Sequence, residues 1–115
     1  MTMDKPYLWL VWTRCAPELD AEFQEWYDKV HIPMLAKGGH ISAVRRYRLS
    51  SEVESEQPPY LAVYEFESES TFKDWLSSEA LADARKEMKE TWGGRDMEIK
   101  GRAFYEPISQ WSRDI

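Results

Sequence analysis

KPYLWLVWTR, residues 5–14, is a short run of aromatic and aliphatic side chains that ends against Cys15-Ala16-Pro17. Length, composition and the breaker together predict a strand. Successive strand residues point to opposite sides, so Leu8, Leu10 and Trp12 share one face and Tyr7, Trp9 and Val11 the other. A sheet with one face in water alternates apolar with polar residues. This strand does not alternate, and both of its faces are expected to be covered.

Downstream of Pro17 the period changes. Leu19, Phe23, Trp26 and Val30 recur at helical spacing, Pro17 suits a first helical turn, and Glu18 and Asp20 suit the positive end of the helix dipole. Pro33 disfavours helical geometry at Ile32, so the helix is expected to stop near His31, ahead of a Met34-Leu35 turn and the Gly38-Gly39 break. ISAVRRYRL, residues 41–49, reads as a second strand and YLAVYEFE, residues 60–67, as a third, with the acidic stretch up to Pro59 a solvated loop between them. Thr71 and Asp74 have the spacing of a capping box. A further helix starts near Ser78, buries Leu81, Ala84, Met88 and Thr91 or Trp92, and stops at Gly93-Gly94. MEIKGRAFYEPISQW, residues 97–111, supplies the last strand, with Pro107 at an edge or bend.

The order β-α-β-β-α-β is that of the ferredoxin-like α+β fold: one antiparallel four-stranded sheet with both helices on one face, here a single domain over residues 1–115. The third strand repeats the two-sided signal, with Tyr60, Ala62, Tyr64 and Phe66 opposite Leu61 and Val63. The simplest cover for the second face is another copy of the chain, which makes the expected assembly a sheet-on-sheet homodimer, a dimeric α/β barrel.

Composition narrows the function. Fifteen basic residues against 21 acidic leave a net charge of -6, whereas nucleic-acid binding needs concentrated positive charge, so no nucleic-acid partner is expected. The single Cys15 makes no internal disulfide, no zinc-ligand spacing is present, and two histidines are too few for a histidine-only metal site. No metal is expected. The longest apolar run, Tyr7 to Trp12, falls far short of the roughly 20 residues of a membrane span, and a reduced, cytoplasmic setting is expected. Neither a glycine-rich phosphate loop nor a dinucleotide fingerprint occurs, so no cofactor is expected either.

His31 is the first candidate for chemistry. It falls about 100° from the centre of the apolar stripe, at the margin of the buried face and the end of the helix, where it can serve as general acid or base. The helix terminus favours its charged form and neighbouring aromatics oppose it, so either direction of pKa shift is open. The plainer role is a helix cap, and its removal is expected to cost no more than about 1 kcal/mol. His40 reads as a surface turn residue. Arg45, Arg46 and Arg48 read as balancing charges, one of which could hold an anion. Six aromatics, Tyr7, Trp9, Trp26, Tyr27, Tyr47 and Tyr64, could wall a pocket for an aromatic ligand, although core filling explains most of them.

The stretch AEFQEWYDKVHIPMLAKGGHISAVRRYRL, residues 21–49, resembles EthD-like proteins of the dimeric α/β-barrel superfamily. Phe23, Trp26, His31, Pro33, Gly39, Arg46 and Tyr47 are the matching positions, and FESESTFKDWLSSEAL is similar to the second-helix region of the same superfamily. Where the EthD pattern often has His-Trp, this chain has Trp26-Tyr27. The resemblance implies a small cofactor-free enzyme such as a polyketide cyclase, decarboxylase or quinone-forming oxygenase, with His31 at the position of the prominent histidine. It also admits a haem binder, with His31 or His40 as axial ligand, and a non-catalytic or stress-related dimer. The expected function is His31-based acid-base chemistry of a lyase or cyclase type on an aromatic or polyketide-like substrate.

Overall fold

The computed structural model describes residues 5–50 and 56–113; the middle of the acidic loop, residues 51–55, lies outside the described residues. The chain runs through β1 (Tyr7–Cys15), a 3-10 turn (Pro17–Leu19), α1 (Asp20–Trp26), a π turn (Tyr27–His31) and α2 (Ile32–Ala36). It continues through β2 (Ile41–Arg48), β3 (Tyr60–Phe66), α3 (Glu69–Leu76), α4 (Glu79–Trp92) and β4 (Met97–Tyr105). The strands form one sheet in the order β2-β3-β1-β4 with every neighbouring pair antiparallel, the ferredoxin-like arrangement. Among the described residues no helix is long and apolar enough to cross a membrane.

The helices lie on one face of the sheet. Trp9, Val11 and Thr13 of β1 and Ala62, Tyr64 and Phe66 of β3 are buried, and the apolar ones join Phe23, Trp26, Leu35, Trp75 and Leu81 in one core. Leu8, Leu10 and Trp12, with Leu61 and Val63 beside them, stand on the other face and are only half-buried. β1 therefore does carry apolar side chains on both sides.

Four features depart from what the sequence suggests. The first helix does not stop at His31: the Ile32 N–H donates to the Tyr27 carbonyl five residues back, and this wider π turn carries the chain on into α2. Pro33 is tolerated because it falls within the first turn of α2, where a missing N–H is least costly. The cap of α3 is Ser68, whose Oγ accepts from the Thr71 N–H at 3.1 Å, rather than Thr71 itself. β4 ends at Tyr105, so Pro107 lies beyond the strand; lacking an N–H it cannot donate to the β1 ladder. Finally, β4 carries a bulge, with Thr13 opposite Ile99 but Trp12 opposite Gly101. Ser78 caps α4 as expected, accepting from the Leu81 N–H at 3.2 Å.

Trp75 ties the helical layer together. It is fully buried, packs edge-on to Trp9 with ring centroids 4.9 Å apart, and donates its indole N–H to the Leu35 carbonyl at 3.0 Å. Replacing Trp75 with Phe keeps an aromatic ring but leaves that carbonyl without its partner, an expected loss of about 1–3 kcal/mol, while Trp75→Ala is expected to lose about 3–5 kcal/mol. Urea unfolding of the two variants checks the order and the gap between them.

Candidate active site

The π turn decides where His31 points. Its extra residue brings the imidazole into the core, where the ring stacks on Trp26 with centroids 4.6 Å apart and meets the edge of Tyr27 at 4.9 Å. His31 is 7% exposed, so it lies inside the apolar face rather than at its margin. Its Nδ1 is buried without a hydrogen-bond partner, so the imidazole caps no carbonyl through that atom. Removing a ring packed this closely leaves a cavity, and the expectation of about 1 kcal/mol is too small for such a site.

Burial disfavours the imidazolium, and the positive charges of Arg102 and then Arg46 oppose it further, which together pull His31 from 6.5 down to about 4. At neutral pH it is a neutral imidazole. Next to it Tyr27 and Tyr64 share a hydrogen bond between their hydroxyls, one on the helix side and one on the central strand β3. Burial pushes the Tyr27 phenol up to about 12 and that of Tyr64 well above its ordinary 10. Both stay protonated at neutral pH. One hydroxyl donates to the other, whose own proton is left for a third group.

These residues line a cavity of about 20 Å³, room for one water, between the helices and the sheet. Including its open mouth, the empty space comes to about 280 Å³. Trp9, Tyr27 and Tyr64 are in its wall with His31, and Trp26 lies behind the imidazole. Tyr7 stacks on Phe104 further along the sheet with centroids 5.7 Å apart, and Tyr47 is 53% exposed beside Trp12 and Leu61 on the opposite face. The structure thus gathers four of the six aromatics around His31 and leaves Tyr7 and Tyr47 elsewhere.

The arginines of β2 are occupied. Arg46 pairs with Asp28 at 2.9 Å and lies 4.3 Å over the Tyr27 ring, Arg45 pairs with Glu65, and Arg48 reaches Asp20 at 3.9 Å. The cations at the cavity are Arg85 of α4 and Arg102 of β4, neither of which sequence reasoning selected. Arg85 had a signal, since it follows Leu81 by four residues and precedes Met88 by three on the buried stripe. Arg102 had none. Regular pairing through Thr13–Ile99 would place it opposite Leu10 on the open face, and only the bulge sets it opposite Val11, toward the helices. His40 packs on Gly38 near a separate hollow lined by Lys37, Ser78 and Asp83. Burial pushes the half-buried Cys15 thiol up, away from nucleophilic use. Among the described residues no group of three or more His, Cys, Asp or Glu side chains could hold a metal ion.

A family model described as a domain of unknown function, DUF4286, matches residues 6–102. No curated protein matches the chain. Solved structures that resemble it include HapK from Hahella chejuensis, 12% identical with a TM-score of 0.67 over 92% of this chain and 97% of that one. An EthD-family protein from Bacillus halodurans is 15% identical with a TM-score of 0.64 over 90% of this chain and 98% of that one. A heme-degrader, MhuD from Mycobacterium tuberculosis, solved with two hemes bound in its active site, is 12% identical with a TM-score of 0.60 over 93% of this chain and 100% of that one. At such identities the likeness establishes the fold, which is the one the EthD resemblance implies.

The buried neutral imidazole makes stability depend on pH. Between about 4 and 6.5 the unfolded chain binds a proton at His31 that the folded chain does not, so this contribution is complete above 6.5 and falls away as the pH drops through about 4. It amounts to on the order of 3 kcal/mol. Urea titrations at pH 7 and pH 4.5 are expected to show this acid limb in the unaltered protein and a shallower one in His31→Gln. Equal limbs would mean that His31 is not held neutral by the fold.

Proposed function

This chain belongs to the DUF4286 family, and from that premise we propose that it is a small-molecule enzyme working without a cofactor, in which His31 moves a proton on an aromatic or polyketide-like substrate. One observation carries this: a buried imidazole with an unpartnered Nδ1, in the wall of a cavity and next to a pair of phenol hydroxyls. A buried polar atom without a partner has a stability cost, and supplying that partner is a natural task for a bound ligand.

The protonation states give each residue a direction. His31 is neutral and accepts a proton; the Tyr27–Tyr64 pair is protonated and donates a hydrogen bond. A carbon next to a carbonyl gives up its proton to the imidazole, its electron pair moves into an enolate, and the enolate oxygen accepts from the free tyrosine hydroxyl. The imidazolium then returns the proton to a second atom of the same molecule, as isomerisation or cyclisation requires, or to a leaving group. Trp9, Trp26, Tyr27 and Tyr64 supply the apolar walls. The closed cavity of about 20 Å³ holds one water and is far smaller than the roughly 300–1,000 Å³ of common ligand sites, so a one-ring substrate needs side chains at the cavity to move aside, and a polycycle more so. Such a substrate enters by displacing the long, unbranched side chain of Met88 in the cavity wall.

The residues do not fit haem. The imidazole of His31 is sandwiched against Trp26 and Tyr27 with no slot for a macrocycle beside it, and the hollow near His40 is lined by Lys37, Glu79 and Asp83 rather than apolar side chains. We further read the open sheet face, with Leu10, Trp12, Leu61 and Val63 uncovered, as the surface on which two copies meet.

Two measurements test these proposals. Light scattering is expected to give twice 13.6 kDa, falling to 13.6 kDa with an unchanged circular dichroism spectrum in Trp12→Glu. A monomeric unaltered protein rejects the dimer. Against a panel of one-ring polyketide-type acids and quinols, His31→Gln is expected to lower kcat by about 10²- to 10⁴-fold at a temperature where it remains folded. Full activity in that variant removes His31 from the chemistry, and binding without turnover in the unaltered protein favours a non-catalytic dimer.

A further inference from the structure

We propose that Arg85 and Arg102 form an anion clamp at the His31 cavity, and that its ligand is a small organic acid whose carboxylate sits between the two guanidinium groups while its apolar body lies against Trp9 and Tyr64. The inference deepens the proposed function, on which it rests, by naming the substrate class.

Three observations support it. Arg14, Arg45, Arg46, Arg48 and Arg95 each pair with a carboxylate, whereas among the described residues Arg85, Arg102 and the distant Arg113 pair with none, and of these three only Arg85 and Arg102 line the cavity. Both arginines are exposed, so solvent screens their mutual repulsion and their unpaired guanidinium groups are accessible to an incoming anion. Second, no Asp or Glu lines the cavity: apart from the two arginines its walls are apolar side chains, His31 and the two tyrosines. Third, Arg102 is brought to this face by the β4 bulge, and its charge acts on both His31 and Tyr27 while Arg85 acts on Arg102. The guanidinium fork matches a carboxylate in a way that a lysine ammonium does not.

A carboxylate in the clamp also reaches the base. The cationic groups that oppose the charged form of His31 are Arg102 on β4 and Arg46 on β2; Tyr27 and Tyr64 face it as neutral phenols, and Arg85 on α4 acts through Arg102. Arg46 has its own partner in Asp28. Burial remains the main reason the imidazolium is disfavoured; neutralising Arg102 removes the larger of the two charge oppositions and so raises the His31 pKa in the direction that makes it a better base.

Benzoate and its neutral isostere benzamide are the probes, titrated into the full chain at neutral pH with binding followed by ligand-observed NMR and the His31 ring followed by its own resonances. Benzoate is expected to bind at least tenfold more tightly than benzamide and to raise the His31 pKa. Arg85→Met/Arg102→Met is expected to abolish that preference while keeping benzamide binding. Arg85→Gln and Arg102→Gln, each expected to lose part of the preference, serve if the double variant does not fold. Equal binding of the two probes, or a preference that survives in these variants, overturns the clamp and leaves the aromatic pocket standing. Failure of both probes to bind overturns the clamp and the proposed function together.

Discussion

Everything in this fold hangs on a central strand that is apolar on both sides. β1 lies between β3 and β4, so its backbone groups are paired along both edges and its side chains have only the two faces to choose from. On one face Trp9, Val11 and Thr13 require a helical layer, and the aromatic rings of Phe23, Trp26 and Trp75 supply it. Full burial of a large apolar side chain contributes about 1.5–3 kcal/mol, and Tyr64 and Phe66 of the sheet and Phe23 and Trp75 of the helices are all fully buried between the two layers. On the other face Leu8, Leu10 and Trp12 are only half-buried among the described residues. The same constraint thus produces the core and leaves the open side unfinished.

At the cavity the aromatic layer meets two guanidinium groups. At neutral pH its histidine is uncharged and its two phenols are protonated, which leaves the guanidinium groups as the charges in the wall. A locally positive chamber inside a chain of net charge -6 is an unusual balance. It follows from short-range pairing: the carboxylates of Asp20, Asp28, Glu65 and Asp96 are engaged by other arginines on the outer surfaces. Burial among the aromatic rings is the larger reason that His31 stays neutral, and the charge of Arg102 adds to it.

Periodicity made most of the architecture legible. Two-residue alternation in β3 and helical spacing through Leu81, Ala84 and Met88 are set by local sterics and survive in the tertiary structure. His31, Trp26, Tyr27 and Tyr64 were legible as candidates because histidine and amphipathic aromatics are chemically distinctive wherever they fall. What could not be read were interruptions of period. The π turn at Tyr27–His31 converts a marginal position into a buried one by adding a residue that the 3.6-residue period does not contain. Tyr47 shows the reverse case: its aromatic character says nothing about which side of β2 it occupies, and register sends it away from the cavity.

Both edge strands are irregular, β2 between Ile41 and Ala43 and β4 opposite Trp12 and Thr13, whereas β1 and β3 pair with each other without a break. An edge strand answers to a single neighbour, so a bulge in it leaves the central pair undisturbed. In β4 the bulge presents Arg102 and Phe104 to the helices, where an unbroken ladder continued from Thr13–Ile99 would turn both to the open face. The electrical character of the chamber is thus written into backbone pairing at the rim of the sheet, and the same bulge that turns Arg102 inward also sets Phe104 on the core ring of Phe72, 3.9 Å between centroids.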